Sequence, residues 1–338
     1  LALSASDATS GVDEMHLSND GSSWSAWEPY ASSKNWTLPS GDGNKTVHVE
    51  YRDHAGHVSP SFSDSIILDT VAPTGSVLVN AGDAYATSSS VDLTLSASDS
   101  GSGAAEMRFR DSGGSWGTWE PYGDSRTWTL SAGDGSKTVY VEYRDHVGRV
   151  SSTDSDSIIL DTVAPTGSLL IDGGSAYATT TSVNLTLAAT DSTSGLDGMR
   201  FSDDGNTWTA WEPYDSSKAW TLPSGDGNKI VYVEFRDQAE HVSSPYSDSV
   251  ILDTAAPVGT IVINSGDVYA PSTSVILSLS ASDAGSGVDD MRFSDDGTLW
   301  SGWEPYASSK EWTLPTGDGS KAVYVEYRDH AGRVSESY

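Results

Sequence analysis

Trp27-Glu28-Pro29-Tyr30 returns unaltered as Trp119-Glu120-Pro121-Tyr122, Trp211-Glu212-Pro213-Tyr214 and Trp303-Glu304-Pro305-Tyr306, each copy 92 residues after the one before (119 − 27 = 211 − 119 = 303 − 211 = 92). A constant period of that length, without gaps, marks duplicated modules joined head to tail. Working outward from the repeated tetrapeptide, Leu1 matches Leu93, Leu185 and Leu277, so the sequence opens inside a repeat. Ser63 to Thr70 recurs as Ser155 to Thr162 and, with Val250 in place of the first isoleucine, as Ser247 to Thr254; the fourth copy is not reached. Four units follow: residues 1–70 lacking a first strand, 71–162, 163–254, and 255–338 lacking a last strand.

The complete second unit reads as short alternating runs bounded by Gly, Asp and Ser. Val77 and Val79 open it (strand A), and Val91, Leu93, Leu95 and Ala97 share one face (B). Met107 and Phe109 alternate with Arg108 and Arg110 (C), and Trp116 to Tyr122 follows a turn (C′). Trp128 and Leu130 share a face (E), as do Val139, Val141 and Tyr143 (F), and Ile158 with Leu160 closes the unit (G). Seven such strands without helical periodicity predict an all-β fold, a Greek-key β-sandwich repeated in a linear array.

Composition narrows the function classes. The chain carries 48 acidic against 18 basic residues, a net charge of −30, and lacks the basic face that nucleic acid demands. Such a chain attracts cations. No apolar run approaches the roughly 18 residues that span a bilayer. With no cysteine there are no disulfides, thiolate metal sites or thiol nucleophiles. A 92-residue unit is nevertheless large enough to hold its own core.

Three segments carry a family resemblance: Leu68-Asp69-Thr70-Val71-Ala72-Pro73-Thr74-Gly75, the Ser-Gly-Val before strand C, and Tyr51-Arg52-Asp53-His54-Ala55-Gly56 followed by Val58-Ser59. They resemble the bacterial Ig-like or fibronectin type III-like modules repeated in tandem in large extracellular surface proteins and adhesins. The resemblance spans the chain and implies an extracellular, cell-surface or secreted location and no enzymatic activity. Two departures stand out: Glu240 replaces the glycine found at Gly56, Gly148 and Gly332, and Ala104-Ala105 replaces Val12-Asp13.

The linker Thr70-Val71-Ala72-Pro73 is short, and its proline fixes φ and biases the residue before it towards extended backbone. In a seven-stranded sandwich the B–C and F–G loops lie at the end where this linker arrives. That placement gathers Asp69 with Asp99 and Asp145, Asp161 with Asp191 and Asp237, and Asp253 with Asp283 and Asp329, while Asp7 and Asp53 form a half-site. Three carboxylates with nearby carbonyls suit Ca²⁺, which takes six to eight oxygen ligands in loose geometry. The competing reading is that each aspartate only closes a turn through its own backbone. Glu240 in place of glycine is expected either to strengthen its junction as an extra ligand or to distort its loop, distortion being the favoured outcome.

The aromatic pattern is equally regular, with Trp24, Trp27, Tyr30 and Trp36 recurring in every unit. Trp36 shares parity with Leu38 and is expected in the core. Trp24 and Trp27, three apart, cannot both face inward on a regular strand; they form either a bulged edge over the core or an exposed platform for glycans. Gly113-Gly114-Ser115-Trp116-Gly117 matches a nucleophile-elbow string, but on a hairpin turn and in one repeat alone. His54, His146 and His330 occupy one loop position that holds Gln238 in the third copy. The Glu28 and Glu50 families read as solvated or Arg-paired positions. Asn35, Asn44 and Asn184 fit glycosylation sequons that no other repeat shares.

The sequence therefore predicts a structural, non-enzymatic stalk or fibre segment stiffened by Ca²⁺, supporting surface adhesion or filament formation. The alternative is a carbohydrate-binding accessory array of an exported enzyme. The open edges of the end units are completed by further repeats or by strands from identical chains in a fibre.

Overall fold

The computed structural model describes residues 1–338, which divide into two compact units, Leu1–Thr162 and Val163–Tyr338. The first unit holds two hydrophobic cores, one around Met15, Leu17 and Tyr51 and one around Leu93, Phe109 and Tyr143. The second unit likewise holds two, around Phe201 and Phe235 and around Phe293 and Tyr327. No helix is long and apolar enough to cross a membrane.

The repeat from Ala72 to Thr162 displays the full architecture. Strands A (Thr74–Val79), B (Ser90–Ser98) and E (Ser125–Thr129) form a three-stranded antiparallel sheet in the order A-B-E. Facing it is a five-stranded sheet in the order A′-G-F-C-C′, built from A′ (Tyr85–Ala86), G (Asp154–Leu160), F (Gly135–Asp145), C (Ala104–Asp111) and C′ (Glu120–Pro121). The alternating residues meet between the sheets, with Leu93, Val139, Val141 and Tyr143 wholly excluded from solvent. These are the two facing layers that period-two patterning demands.

Three details differ from expectation. The chain swaps sheets after strand A: A′ pairs in parallel with G through Tyr85–Ile159 and Ala86–Leu160, too short a contact to leave a sequence pattern. C′ shrinks from Trp116–Tyr122 to Glu120–Pro121, which pairs with Met107 and Glu106 of strand C. Trp128, expected inside, is half-buried at the rim, where its ring lies against Phe109 and its indole N–H donates to Asp111 Oδ1 at 3.0 Å.

Trp116 and Trp119 both lie outside the sandwich. Arg108, on the face of strand C opposite Met107 and Phe109, sits between their rings at 4.9 and 4.5 Å, and Arg144 covers Trp119 at 4.5 Å. Glu142 and Glu106 neutralise the two guanidinium groups. Tyr122 turns inward instead, its hydroxyl oxygen accepting the Ala97 N–H at 3.0 Å. The repeated tetrapeptide thus fastens C′ to both faces. In the first repeat His16 replaces the central arginine, stacked on Trp24 and Trp27 at 4.4 and 3.7 Å and 3.0 Å from Glu50.

Close approach explains one glycine. A Cβ at Gly75 would stand 2.4 Å from the Tyr143 ring, whose hydroxyl donates to the Ser76 carbonyl at 2.6 Å. Gly167 and Gly259 stand in the same relation to Phe235 and Tyr327. In the first repeat, which has no strand A, Ile66 is 61% exposed where its counterpart Ile158 is 1% exposed.

Candidate metal centres

Strand B ends at Ser98 and strand F at Asp145, so both deliver their following loops to the end of the sandwich where the linker enters. Asp69, Asp99 and Asp145 converge there, each with a carboxylate oxygen within 4.8 Å of the others. Asp253, Asp283 and Asp329 do the same in the second unit. Ligands on opposite sides of a Ca²⁺ ion, each at 2.3–2.6 Å, stand about 4.6–5.2 Å apart. The spacing fits that ion.

The two oxygens of each loop carboxylate have different surroundings. Asp145 Oδ1 closes its turn by accepting the N–H groups of Val147 and Arg149 at 2.9 and 2.8 Å. Asp145 Oδ2 is buried and has no hydrogen-bond partner, in a residue only 2% exposed. Asp99 Oδ2 accepts from Gly101 and Gly103 at 2.9 and 2.8 Å, leaving Oδ1 buried and unpaired. In the second unit Asp283 Oδ1 takes Gly285, Ser286 and Gly287, Asp329 Oδ1 takes Arg333, and both Oδ2 atoms are orphaned. An unpaired buried carboxylate oxygen is expensive, and each of these two clusters holds two of them together with a third carboxylate.

Burial, reinforced by the charges of Asp253 and Asp283, pushes the Asp329 carboxyl above its ordinary value. Asp69 moves the other way, held down chiefly by the Ser102 hydroxyl and then by its backbone N–H.

The linker itself is gripped from both sides. Asp69 Oδ2 accepts the Ser102 N–H at 2.8 Å and its hydroxyl at 2.5 Å, in the B–C loop of the following repeat. Thr70 points back, donating its N–H and hydroxyl to Asp42 Oδ1 at 2.9 and 2.7 Å. Asp253 with Ser286 and Thr254 with Asp226 repeat the arrangement. Gly101 permits the grip, since a Cβ there would lie 2.4 Å from the Asp69 carboxyl carbon, and Gly285 does so for Asp253. Arg149 Nε donates to the Asp69 carbonyl at 3.2 Å and Arg333 Nε to that of Asp253 at 2.9 Å. The sequence reading missed Ser102, Asp42, Gly101 and Arg149, although the recurrence of Asp42 as Asp134 and Asp226 in step with Thr70, Thr162 and Thr254 carried the signal.

The remaining acids sit in single loops. Asp7 Oδ1 accepts from Ser10, Gly11 and Thr9, and those N–H groups, Ser10 first, pull its carboxyl down to about 2. Asp53 Oδ1 accepts from Ala55 and His57, while Oδ2 meets His57 Nδ1 at 3.2 Å. Asp161 ends the first unit, its N–H donating to the Ala86 carbonyl at 2.9 Å. Asp191 and Asp237 lie in the second: Asp191 Oδ1 accepts from Thr193, Ser194 and Gly195, and Asp237 Oδ1 from His241. Glu240 does not distort its loop. It takes the left-handed φ of 69° that glycine holds elsewhere and keeps the turn bond to Asp237 O at 3.2 Å.

The chain is similar to several solved structures. They include the fibronectin(III)-like modules of Clostridium thermocellum CbhA, 16% identical over 52% of this chain and 93% of that one, with a TM-score of 0.33. A tetra-tandem repeat from the extending region of a large adhesion protein is 18% identical over 98% and 91%, also at 0.33. A biofilm-associated protein's BSP domain is 8% identical over 87% and 73%, at 0.27. Scores this low carry no weight for function, and the sandwich assignment stands on the strand order above. The sequence matches no protein-family model and no curated protein.

Proposed function

We propose that the chain is a segment of an extracellular structural protein, a stalk or fibre in which Ca²⁺ bound at repeat junctions ties consecutive sandwiches together in support of surface adhesion or filament formation. The observation that carries this reading is the pair of buried, unpaired carboxylate oxygens at each described junction, Asp99 Oδ1 with Asp145 Oδ2 and Asp283 Oδ2 with Asp329 Oδ2. Both residues of each pair cluster with the linker aspartate, so the ion would bridge a linker and both loops of the repeat that follows it. Near-copies of one module, each spending its conserved-in-register acids on its junction, suit a spacer, because length is what further copies add. Loop-borne oxygen sites of this kind fall in the affinity range of extracellular calcium modules, about 10⁻⁴–10⁻³ M.

Calorimetric titration of the 338-residue chain with CaCl₂ tests the reading. Asp145→Asn with Asp329→Asn keeps both turns, since the Oδ1 contacts survive, and is expected to remove two binding sites per chain. At free Ca²⁺ a hundred times Kd each site should stabilise its junction by about 2.7 kcal/mol. Equal heats from the wild type and the double variant would refute the assignment.

A further inference from the structure

The F–G loop residue four places beyond its aspartate differs between alternate repeats: His57, Arg149, His241 and Arg333. Another position alternates in step with it. Gly101 accompanies Arg149 and Gly285 accompanies Arg333, whereas Thr9 accompanies His57 and Thr193 accompanies His241. The structure supplies a reason for the pairing. The glycines let the linker carboxylate settle on the B–C loop, and this brings the linker carbonyl to the arginine. In the histidine repeats the ring meets the aspartate of its own loop, His57 Nδ1 lying 3.2 Å from Asp53 Oδ2 and His241 Nδ1 3.4 Å from Asp237 Oδ2.

We infer that Arg149 and Arg333 are built-in cationic locks that keep their junctions ordered when no metal is bound. The inference rests on the reading of these junctions as the elements that hold consecutive repeats together. A guanidinium donating to a backbone carbonyl keeps its whole positive charge, and here that carbonyl belongs to the linker aspartate, whose carboxylate meets two others that repel it. It therefore does at one edge of the cluster what an ion would do at its centre, without occupying the unpaired oxygens. Arg333 reaches further: a terminal nitrogen also donates to the Thr179 carbonyl in the preceding repeat, so one side chain spans the junction. His330 lies beside Tyr177 at the same contact, 6.4 Å between ring centroids. Chelation of calcium should then leave the arginine junctions aligned, and alignment should fail only when metal and arginine are both removed.

The chain contains no cysteine, so Ser22→Cys and Ser112→Cys, both exposed, place one spin label in each of the first two repeats of the full chain. The width of the interlabel distance distribution reports the order of that junction. The wild type is expected to give the same narrow distribution in Ca²⁺ and in EDTA. Arg149→Ala is expected to match it in Ca²⁺ and to broaden in EDTA, its misaligned fraction rising about tenfold, as for the loss of one hydrogen bond from a charged donor. Arg149→Lys, which keeps charge but not the fork, should fall between. A narrow distribution for Arg149→Ala in EDTA, or wild type broadening as far as that variant, would overturn the lock. Absence of calcium binding in the titration above would overturn the metal reading and leave the lock standing.

Discussion

Gly101→Ala puts the linker grip to a direct test. The added methyl would stand 2.4 Å from Asp69 Cγ and 2.6 and 2.8 Å from its two oxygens, distances at which real Cβ atoms are not found. Gly101 does not use a left-handed φ, so the substitution adds no backbone strain of its own and the collision alone decides the outcome. Something must move, and the carboxylate is the nearer candidate, since its removal requires only that Asp69 give up the Ser102 N–H and hydroxyl. Hydrogen bonds to a charged acceptor are worth about 1.5–3 kcal/mol, and the Ser102 amide is the donor whose protection depends on this contact. Loss of that amount raises the exchange rate of the amide by about 10- to 150-fold at 1.4 kcal/mol per decade. Amide hydrogen exchange resolved by residue measures it, with Ser286 in the unaltered second unit as the internal reference. Calcium affinity at Asp99 and Asp145 should fall with it, because the linker ligand is displaced. Unchanged protection of Ser102 in the alanine variant would mean that the linker carboxylate does not rest on that loop, and the account of the junction would be wrong.

Glu240→Gly should raise the melting temperature of the second unit by relieving a left-handed non-glycine residue, a gain of about 1 kcal/mol. Trp128→Ala should cost about 2 kcal/mol by thermal melting, below the 3–5 of a fully buried ring, because the indole is half-buried but also forfeits its bond to Asp111. Arg108→Ala should expose Trp116 and Trp119 together, seen as a red shift of tryptophan emission that Lys137→Ala does not produce. The Asp329 carboxyl has a higher pKa folded than unfolded, so in EDTA its contribution to stability is greatest in acid and declines as pH rises from the ordinary carboxylate value through the raised one. Asp329→Asn should remove that decline in pH-dependent melts, and excess Ca²⁺ should reverse its sign, since the metal requires the ionised form.

The sandwich was legible because its causes are local and repeated. Alternation at Leu93, Leu95, Val139 and Val141 dictates which residues face the opposite sheet, and the 92-residue period separates one module from the next before any contact is considered. The convergence of Asp69, Asp99 and Asp145 was legible as well, since strand order alone decides at which end a loop emerges. Tertiary structure decided how each carboxylate is used. Whether an oxygen closes a turn or faces a cluster depends on atoms only ångströms apart, and sequence spacing does not distinguish Oδ1 from Oδ2 of Asp145. It also decided the fate of the tryptophans: Trp116 and Trp119 escape the parity rule because they lie beside strand C and are held by Arg108 and Arg144 from other strands. Arg149 was silent for the same reason, its partner being a carbonyl 80 positions away that only the close approach at Gly101 brings within reach.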